Sequence, residues 1–406
     1  LTGNWTAIII NYNGAGFIEA CVQALEACTL RPAEIIVVDN ASTDDSLLEM
    51  SAYPRAQIFA QSSNLGFAAA ANIGLAAVET DYAVILNPDV EVQSDFGDAL
   101  IGAFEADGRL AAAGALLLYP DGDTIQHAGG QIDSPLMTTR HYLYGEKLPD
   151  NTLIARDVDF VTGGAMGLRM SAVSETGGLD ELFSPVYYED VDLCVRLRSL
   201  HWAVRFIPDL RALHHEGVTL QRETAYFHFL HRNRIQFAMK HLSTHEWSTT
   251  FVPAEIERLR WEIQHLVHQE WLTVIGASAV ENLLRSSLHW DVQDRLDSSS
   301  FDELRATIQE SRDTWEVTGD VQPAGHPMTR LLLRFLNALG LRQYMSAVFE
   351  EQRAFNAAVV RAFESQERLN RDQMATILLL AIDVIGRLHQ QDSINHQMSH
   401  RPRSER

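Results

Sequence analysis

The chain has 406 residues, more than one domain of common size, so a core domain plus a second unit is expected. Its formal net charge of −22 argues against a nucleic-acid partner, whose phosphates require a basic face, and disfavours broad adsorption to an anionic membrane. The three cysteines, Cys21, Cys28 and Cys194, lack metal-ligand spacing and point to a reducing compartment, and no stretch approaches the ~18 to 20 apolar residues of a membrane span.

Short β-branched runs over 6–12, 34–39, 56–61 and 82–86 alternate with helical patterns over 17–28, 43–51 and 67–78. Such alternation implies a mostly parallel sheet covered on both faces, with ligands beyond the carboxyl ends of the strands. The polar residues that end those strands therefore come first as site candidates: Asn11, Asp39, Asn64 and Asn87 to Asp89. From about residue 110, runs at 111–118, 157–168 and 202–207 between Gly, Pro and Asp turns predict a mixed sheet with longer loops. Beyond about residue 245 the strand signal ends. Residues 254–289, 301–316 and 328–390 read as helices, followed by a polar tail from Ser393.

Four segments can carry chemistry, and each has a bland alternative. In VVDNASTDDS (37–46), Asp39 ends a hydrophobic strand and can accept hydrogen bonds from a base or ribose, or it simply begins a polar turn. In VILNPDVEV (84–92), Pro88 stiffens a turn that sets the Asp89 carboxylate at the sheet edge. That carboxylate suits Mg²⁺ or Mn²⁺ beside a diphosphate, and equally an Asx-type turn. In SPVYYEDVDLCVRLRSLHW (184–202), Glu189, Asp190 and Asp192 open a helix, where they either complement its dipole or supply a general base next to two aromatic residues. In RALHHEGVT (211–219), paired histidines end a strand-like run, so at most one of His214 and His215 faces a site as a metal or phosphate ligand, and a structural role is the alternative. Residues 14–19 (GAGFIE) mimic a dinucleotide fingerprint but lack its third glycine, and neither a G-x-S-x-G nor a P-loop is present.

Taken in order, TAIIINYN (6–13), VVDNASTD (37–44), NLGFAAAANIGL (64–75), LNPDVEV (86–92), FVTGGAMGLRMSAV (160–173), YYEDVDLCVRL (187–197) and HHEGVT (214–219) resemble the family 2 glycosyltransferases. The likeness is closest to rhamnosyltransferase-like members that build bacterial surface polysaccharides. It covers roughly residues 5–242, including a basic helix, RNRIQFAMKHL (232–242). The resemblance implies an α/β fold of the GT-A type over 1–245, a Rossmann-like mixed sheet flanked by helices. An all-α region (246–392) for packing, oligomerisation or linkage and a flexible tail (393–406) are expected to follow it.

The same resemblance implies roles. Asp39 meets the nucleotide base, with Asn11 and Tyr12 lining that pocket. Asn64, Gly66 and Asn72 shape the loop and helix beside the ribose, and Asn87 belongs to the same nucleotide site. Asp89 ligates Mg²⁺ or Mn²⁺ with His214. The family's D-x-D motif reads Asn87-Pro88-Asp89 here, so its first carboxylate is missing and the need for metal is in question. Asp190 matches the catalytic base, with Glu189 beside the acceptor and Gly163, Gly164 and Met166 in the segment lining its cleft.

Elementary chemistry agrees with these roles. A departing nucleoside diphosphate needs its growing charge met, and an attacking hydroxyl needs a base as it reacts. One base opposite the leaving group gives inversion. The expected reaction is transfer of a sugar, dTDP-rhamnose being the first choice of donor, to a polysaccharide or lipid-linked glycan, in the cytoplasm or peripherally at the inner membrane. A UDP-hexose or GDP-mannose donor and a catalytically silent scaffold are the alternatives. In the helical remainder, 328–363 resembles a linker beside glycosyltransferase and methyltransferase domains, while 330–342 suits contact with a membrane surface or partner enzyme. Val348, Phe355, Val359, Ala362 and Leu369 approximate a heptad stripe for self-association, or ordinary helix packing.

Overall fold

The computed structural model describes residues 3–149, 152–215, 224–255 and 257–258. The helices expected over 301–316 and 328–390, nearly all of that over 254–289, the heptad stripe and the tail lie outside the described residues. The chain divides into two compact units, Leu1–Phe237 and Ala238–Arg406, a boundary eight residues before the 245 expected from the sequence.

In the first unit, β1 (Trp5–Asn11), β2 (Glu34–Asp39), β3 (Ala56–Ala60) and β4 (Tyr82–Leu86) alternate with α1 (Ile18–Glu26), α2 (Ser46–Met50) and α3 (Phe67–Ala76). Next come β5 (Val90–Val92), α4 (Phe96–Ala106), β6 (Leu110–Leu118), β7 (Ile125–His127), and a separate hairpin of β8 (Gly130–Asp133) and β9 (Thr138–His141). The chain returns through β10 (Arg156–Asp157), β11 (Ala165–Arg169), α5 (Met170–Thr176), α6 (Glu189–Ser199), β12 (Ala203–His214) and α7 (Thr224–His241). The main sheet runs β10-β12-β6-β11-β4-β1-β2-β3, with β5 on β12 and β7 on β6. Its β4-β1-β2-β3 half is parallel, whereas β11 runs antiparallel to both β4 and β6. This is the mixed α/β sheet flanked by helices that the sequence implied.

Strand periodicity explains the layers. In β1, Ile8 and Ile10 face one core, with α3, α5 and α6, while Trp5, Ala7 and Ile9 face the other, with α1 and α4. The strands buried on both faces are the ones that read as unbroken apolar runs. Gly74 lets α3 lie close on β1, since a methyl there would come 2.3 Å from Ile8 Cγ2.

Two elements differ from the sequence expectation. The run 157–168 is not one strand: Arg156–Asp157 and Ala165–Arg169 form separate strands, Phe160 between them makes an isolated bridge to Gly130, and Val158, Phe160 and Val161 enter the core from irregular backbone. The helix expected over 43–51 shortens to Ser46–Met50, because the backbone N–H groups of Ser42 and Thr43 are taken by Asp39 and Asn13 side chains. The cysteines are free and buried. Among the described residues, no helix is long and apolar enough to cross a membrane.

Candidate active site

The carboxyl ends of β1, β2 and β4 meet the start of β11 and the end of β12 at one sheet edge, as the register pairs Asn11 with Asp39, Leu86 with Ala165 and His214 with Val90. At the β1–β2 side, Asn11 is fully buried and its Nδ2 donates to Asp39 Oδ1 at 2.7 Å and Ser46 Oγ at 2.9 Å. Asp39 Oδ2 accepts from Ser42 N at 3.1 Å. Asn40 turns the other way, its Nδ2 donating to Asn64 Oδ1 at 2.9 Å and its Oδ1 accepting from Leu65 N at 2.7 Å. Asp39 is thereby fixed as an acceptor at a strand end, the arrangement that recognises base or ribose N–H and O–H groups.

Gly66 sits where this loop meets residues 184–185, with φ of 88° and with a would-be Cβ 2.5 Å from Ser184 Oγ, so only glycine fits. Tyr12 follows β1 and is half-buried. Asn72 lies on α3. Its amide is held by Leu179, donating to the carbonyl at 2.9 Å and accepting from the N–H at 2.8 Å.

The β4 end carries Asn87-Pro88-Asp89. Asp89 is buried, and its Oδ1 makes no hydrogen bond while lying 3.2 Å from His214 Nε2. Two neighbours fix the proton on that ring. His214 Nδ1 lies 2.6 Å from Gln126 Oε1, an acceptor, so Nδ1 carries the hydrogen. Asn87 Nδ2 points at Nε2 from 3.3 Å, donating towards its lone pair. Two buried lone pairs, one carboxylate and one imidazole, therefore face each other, which is costly unless a cation lies between their ligands. The donor set, one hard oxygen and one imidazole with an oriented second nitrogen, suits a divalent ion. No group of three or more His, Cys, Asp or Glu side chains with metal-binding geometry occurs among the described residues, so the remaining ligands have to come from a bound diphosphate or water.

Two adjacent glycines join this pair to the carboxylates of α6. Gly164 accepts from Asn87 N at 3.1 Å, and a Cβ on it would come 3.7 Å from His214 Cε1. Gly163 N donates to Asp190 Oδ2 at 2.9 Å. Met166, two residues on, is fully buried in the core, so only the glycines of this trio lie at the strand end. Burial pushes the half-buried Asp190 above the ordinary aspartate range, opposed by the N–H groups of Gly163 and Val191 and by the charge of His141. Glu189 is buried with Oε2 lacking a hydrogen bond, and burial together with the Asp190 charge raises it well above the usual glutamate range. The neighbouring carboxyls therefore differ: Glu189 is raised the further of the two, which leaves Asp190 the better base. Asp192 does something else, pairing at 2.7 Å with Arg196, which also binds the carbonyls of Thr176 and Gly178.

The turn before α6 is strained. Tyr187 and Tyr188 have φ of 79° and 75°, a left-handed conformation costing non-glycine residues roughly 1 to 2 kcal/mol each. Asn233 on α7 holds it, donating to the carbonyls of Phe183, Val186 and Tyr187 at 2.6, 2.9 and 2.9 Å. Tyr188 Oη adds a bond to Met137 O at 2.7 Å. The sequence reasoning missed Gln126 and Asn233. Each acts through a partner distant in sequence, and no local motif signals either one.

The fold is a mixed α/β sheet flanked by helices, with a parallel half, an antiparallel return and polar groups gathered where the two join. Residues 6–177 match the model of glycosyl transferase family 2. It is 27% identical over 241 residues to the N-acetylglucosaminyl-diphospho-decaprenol L-rhamnosyltransferase of Mycobacterium tuberculosis, covering 54% of this chain and 78% of that protein. It is 26% identical over 222 residues to rhamnosyltransferase WbbL of Escherichia coli, covering 51% and 82%. The crystal structure of GalNAc-T7 with UDP, GalNAc and Mn²⁺ aligns with a TM-score of 0.46 at 16% identity, over 58% of this chain and 47% of that one.

Proposed function

We propose that the chain transfers a sugar from a nucleoside-diphosphate sugar to a glycan hydroxyl with inversion, Asp190 serving as the base. The observation that carries this is the Gly163–Gly164 pair. One glycine fixes the Asp190 carboxylate, and the other abuts the His214 and Asn87 side chains beside Asp89. The proposed base and diphosphate site thus adjoin the two residues of a single peptide, so both can act on one bound sugar.

Asp39, held by Asn11 and Ser42, binds the nucleoside, with Tyr12, Asn64 and Gly66 around it. Asp89 and His214 would hold Mg²⁺ or Mn²⁺, which would supply positive charge to the departing diphosphate. The acceptor hydroxyl loses its proton to Asp190 as its oxygen bonds to the anomeric carbon and the bond from that carbon to the diphosphate oxygen breaks. A double displacement needs a second ionised carboxylate as nucleophile. Glu189, the neighbouring acid, is held protonated and is poorly suited to that role.

Two similar proteins named as rhamnosyltransferases support dTDP-rhamnose as the donor, and the name of one supports an acceptor joined through diphosphate to a lipid. Such an acceptor places the enzyme at the cytoplasmic membrane face. Residues 246–392 are proposed to serve assembly or placement there. The test is calorimetric titration of dTDP, UDP and GDP with Mn²⁺, with Mg²⁺ and with chelator, followed by turnover of dTDP-rhamnose. Preferential binding of dTDP or UDP over GDP in the presence of metal supports the reading. A folded protein that binds none of the three overturns it.

A further inference from the structure

The β8–β9 hairpin carries a group of rings that nucleotide binding does not use. Tyr144, just after β9, is 57% exposed although its ring is held on two sides. Tyr119 Oη donates to Tyr144 Oη at 2.9 Å, with the two rings edge-on at a centroid distance of 6.3 Å. The His141 ring stands perpendicular to Tyr144 at 6.4 Å and packs in turn on Phe160 at 5.6 Å and His127 at 4.6 Å. The rings thus run from solvent at Tyr144 to the interior at His127, which is fully buried.

The charge of His141 is felt by Asp190. The hairpin tip is also tied to the residues that support the base, since Tyr188 Oη donates to Met137 O at 2.7 Å and Arg234 Nη1 donates to Leu136 O at 2.6 Å. An exposed aromatic ring packed edge-on by its neighbours, three residues past a hairpin whose tip is bonded to the turn that carries the proposed base, has the character of a recognition surface. A tyrosine gives large contact area at small entropy cost, and the C–H face of a pyranose is its natural partner.

We propose that Tyr144 and Tyr119, backed by His141, form an acceptor subsite that stacks a pyranose ring of the glycan and directs its hydroxyl towards Asp190. This inference rests on the reading of Asp190 as the base. The subsite recognises the sugar's apolar face, so it supplies affinity, while the linkage is set nearer Asp190.

The experiment compares the full chain with Tyr144→Ala and Tyr144→Phe. Because Tyr144 is exposed, both variants should melt close to the wild type. Saturation-transfer NMR is recorded with methyl β-N-acetylglucosaminide, methyl α-rhamnoside and methyl α-mannoside, with and without dTDP and Mn²⁺. The expected result is transfer to ring C–H protons of at least one glycoside in the wild type and in Tyr144→Phe, with affinity lowered roughly tenfold in Tyr144→Ala. Nucleoside diphosphate affinity should be equal in all three proteins. No transfer from any glycoside in the wild type, or equal transfer in Tyr144→Ala, overturns the subsite. The two readings fail separately: a wild type that binds a glycoside through Tyr144 but no nucleoside diphosphate keeps the subsite and removes the transferase function.

Discussion

Replacing Gln126 with leucine tests whether the Asp89–His214 pair is a cation site. In the wild type, Gln126 Oε1 takes the Nδ1 hydrogen at 2.6 Å, which leaves Nε2 bare and aimed at Asp89 Oδ1, 3.2 Å away. Leucine removes that acceptor. The ring then either buries an N–H without a partner, at about 1 to 3 kcal/mol, or moves its hydrogen to Nε2 and donates to Asp89. The second course recovers much of the lost stability, because a 3.2 Å contact between two acceptors becomes a hydrogen bond. It also closes the site, since a cation then has to displace a proton and restore the unfavourable tautomer. The loss should therefore fall on metal-dependent binding, about 10- to 100-fold for a partner of this kind, or roughly 1.4 to 2.7 kcal/mol. The melting temperature should move by only a few degrees. Gln126→Glu, which still accepts from Nδ1, should retain metal dependence. The assay is titration of dTDP in Mn²⁺ and in chelator for each protein. If Gln126→Leu keeps the wild-type ratio between the two conditions, the pair does not hold a cation, and a helix N-terminus becomes the better candidate for the diphosphate.

Four further outcomes are expected. Asp190→Asn should leave dTDP affinity within a few-fold of the wild type and cut transfer by about two to four orders of magnitude; normal turnover would remove Asp190 as base. Because burial raises Asp190, the acid limb of the turnover–pH profile should lie above the ordinary aspartate range, with activity lost as pH falls through it and the base takes a proton. Glu189 binds its proton more tightly folded than unfolded, so its contribution to stability is complete below the ordinary glutamate range and declines as pH rises through the raised folded value. Glu189→Gln should therefore gain melting temperature relative to the wild type as pH rises, and a gap that stays flat between about pH 5 and 8 would count against a protonated Glu189. Asn233→Ala, which removes the donor to three carbonyls, should cost about 2 to 3 kcal/mol in denaturant unfolding and lower turnover more than dTDP affinity.

The sheet was legible because its central strands are buried on both faces and so appear as unbroken apolar runs bounded by polar residues. EIIVVD over β2 and YAVIL over β4 are two such strands. The candidate site was legible as a place wherever a polar residue follows such a run: Asn11, Asp39, Asp89 and His214 all lie at one sheet edge for that reason. Legibility failed where a residue works through a contact distant in sequence. Asn72 lies in the right segment, yet its amide is engaged by a turn 107 positions away. Gln126 is 88 positions from the histidine whose tautomer it sets. The 157–168 run read as one strand because Val158, Phe160 and Val161 are apolar, but Gly163 and Gly164 break it where the backbone serves Asp190 and Asn87 instead of a neighbouring strand.

The span that resembles the family ends before the chemistry does. The matched segment stops at residue 177, but Asp190, His214 and Asn233 all follow it. The proposed nucleotide pocket centres on Asn11, Asp39 and Ser42, all inside the match and hydrogen-bonded to one another within the parallel half. The base depends on more. Its helix begins from two left-handed tyrosines, a start that the local sequence disfavours and that Asn233 stabilises from α7. Strain of this size persists only when the surrounding structure fixes it. The acceptor half is thus built last along the chain and by long-range contacts. Nucleotide binding and transfer should consequently separate under truncation or mutation of α7. Nucleotide affinity should fall less than turnover on changes to Asn233, because Asn11, Asp39 and Ser42 are held by hydrogen bonds within the parallel half, although Gly66 beside them meets residues 184–185.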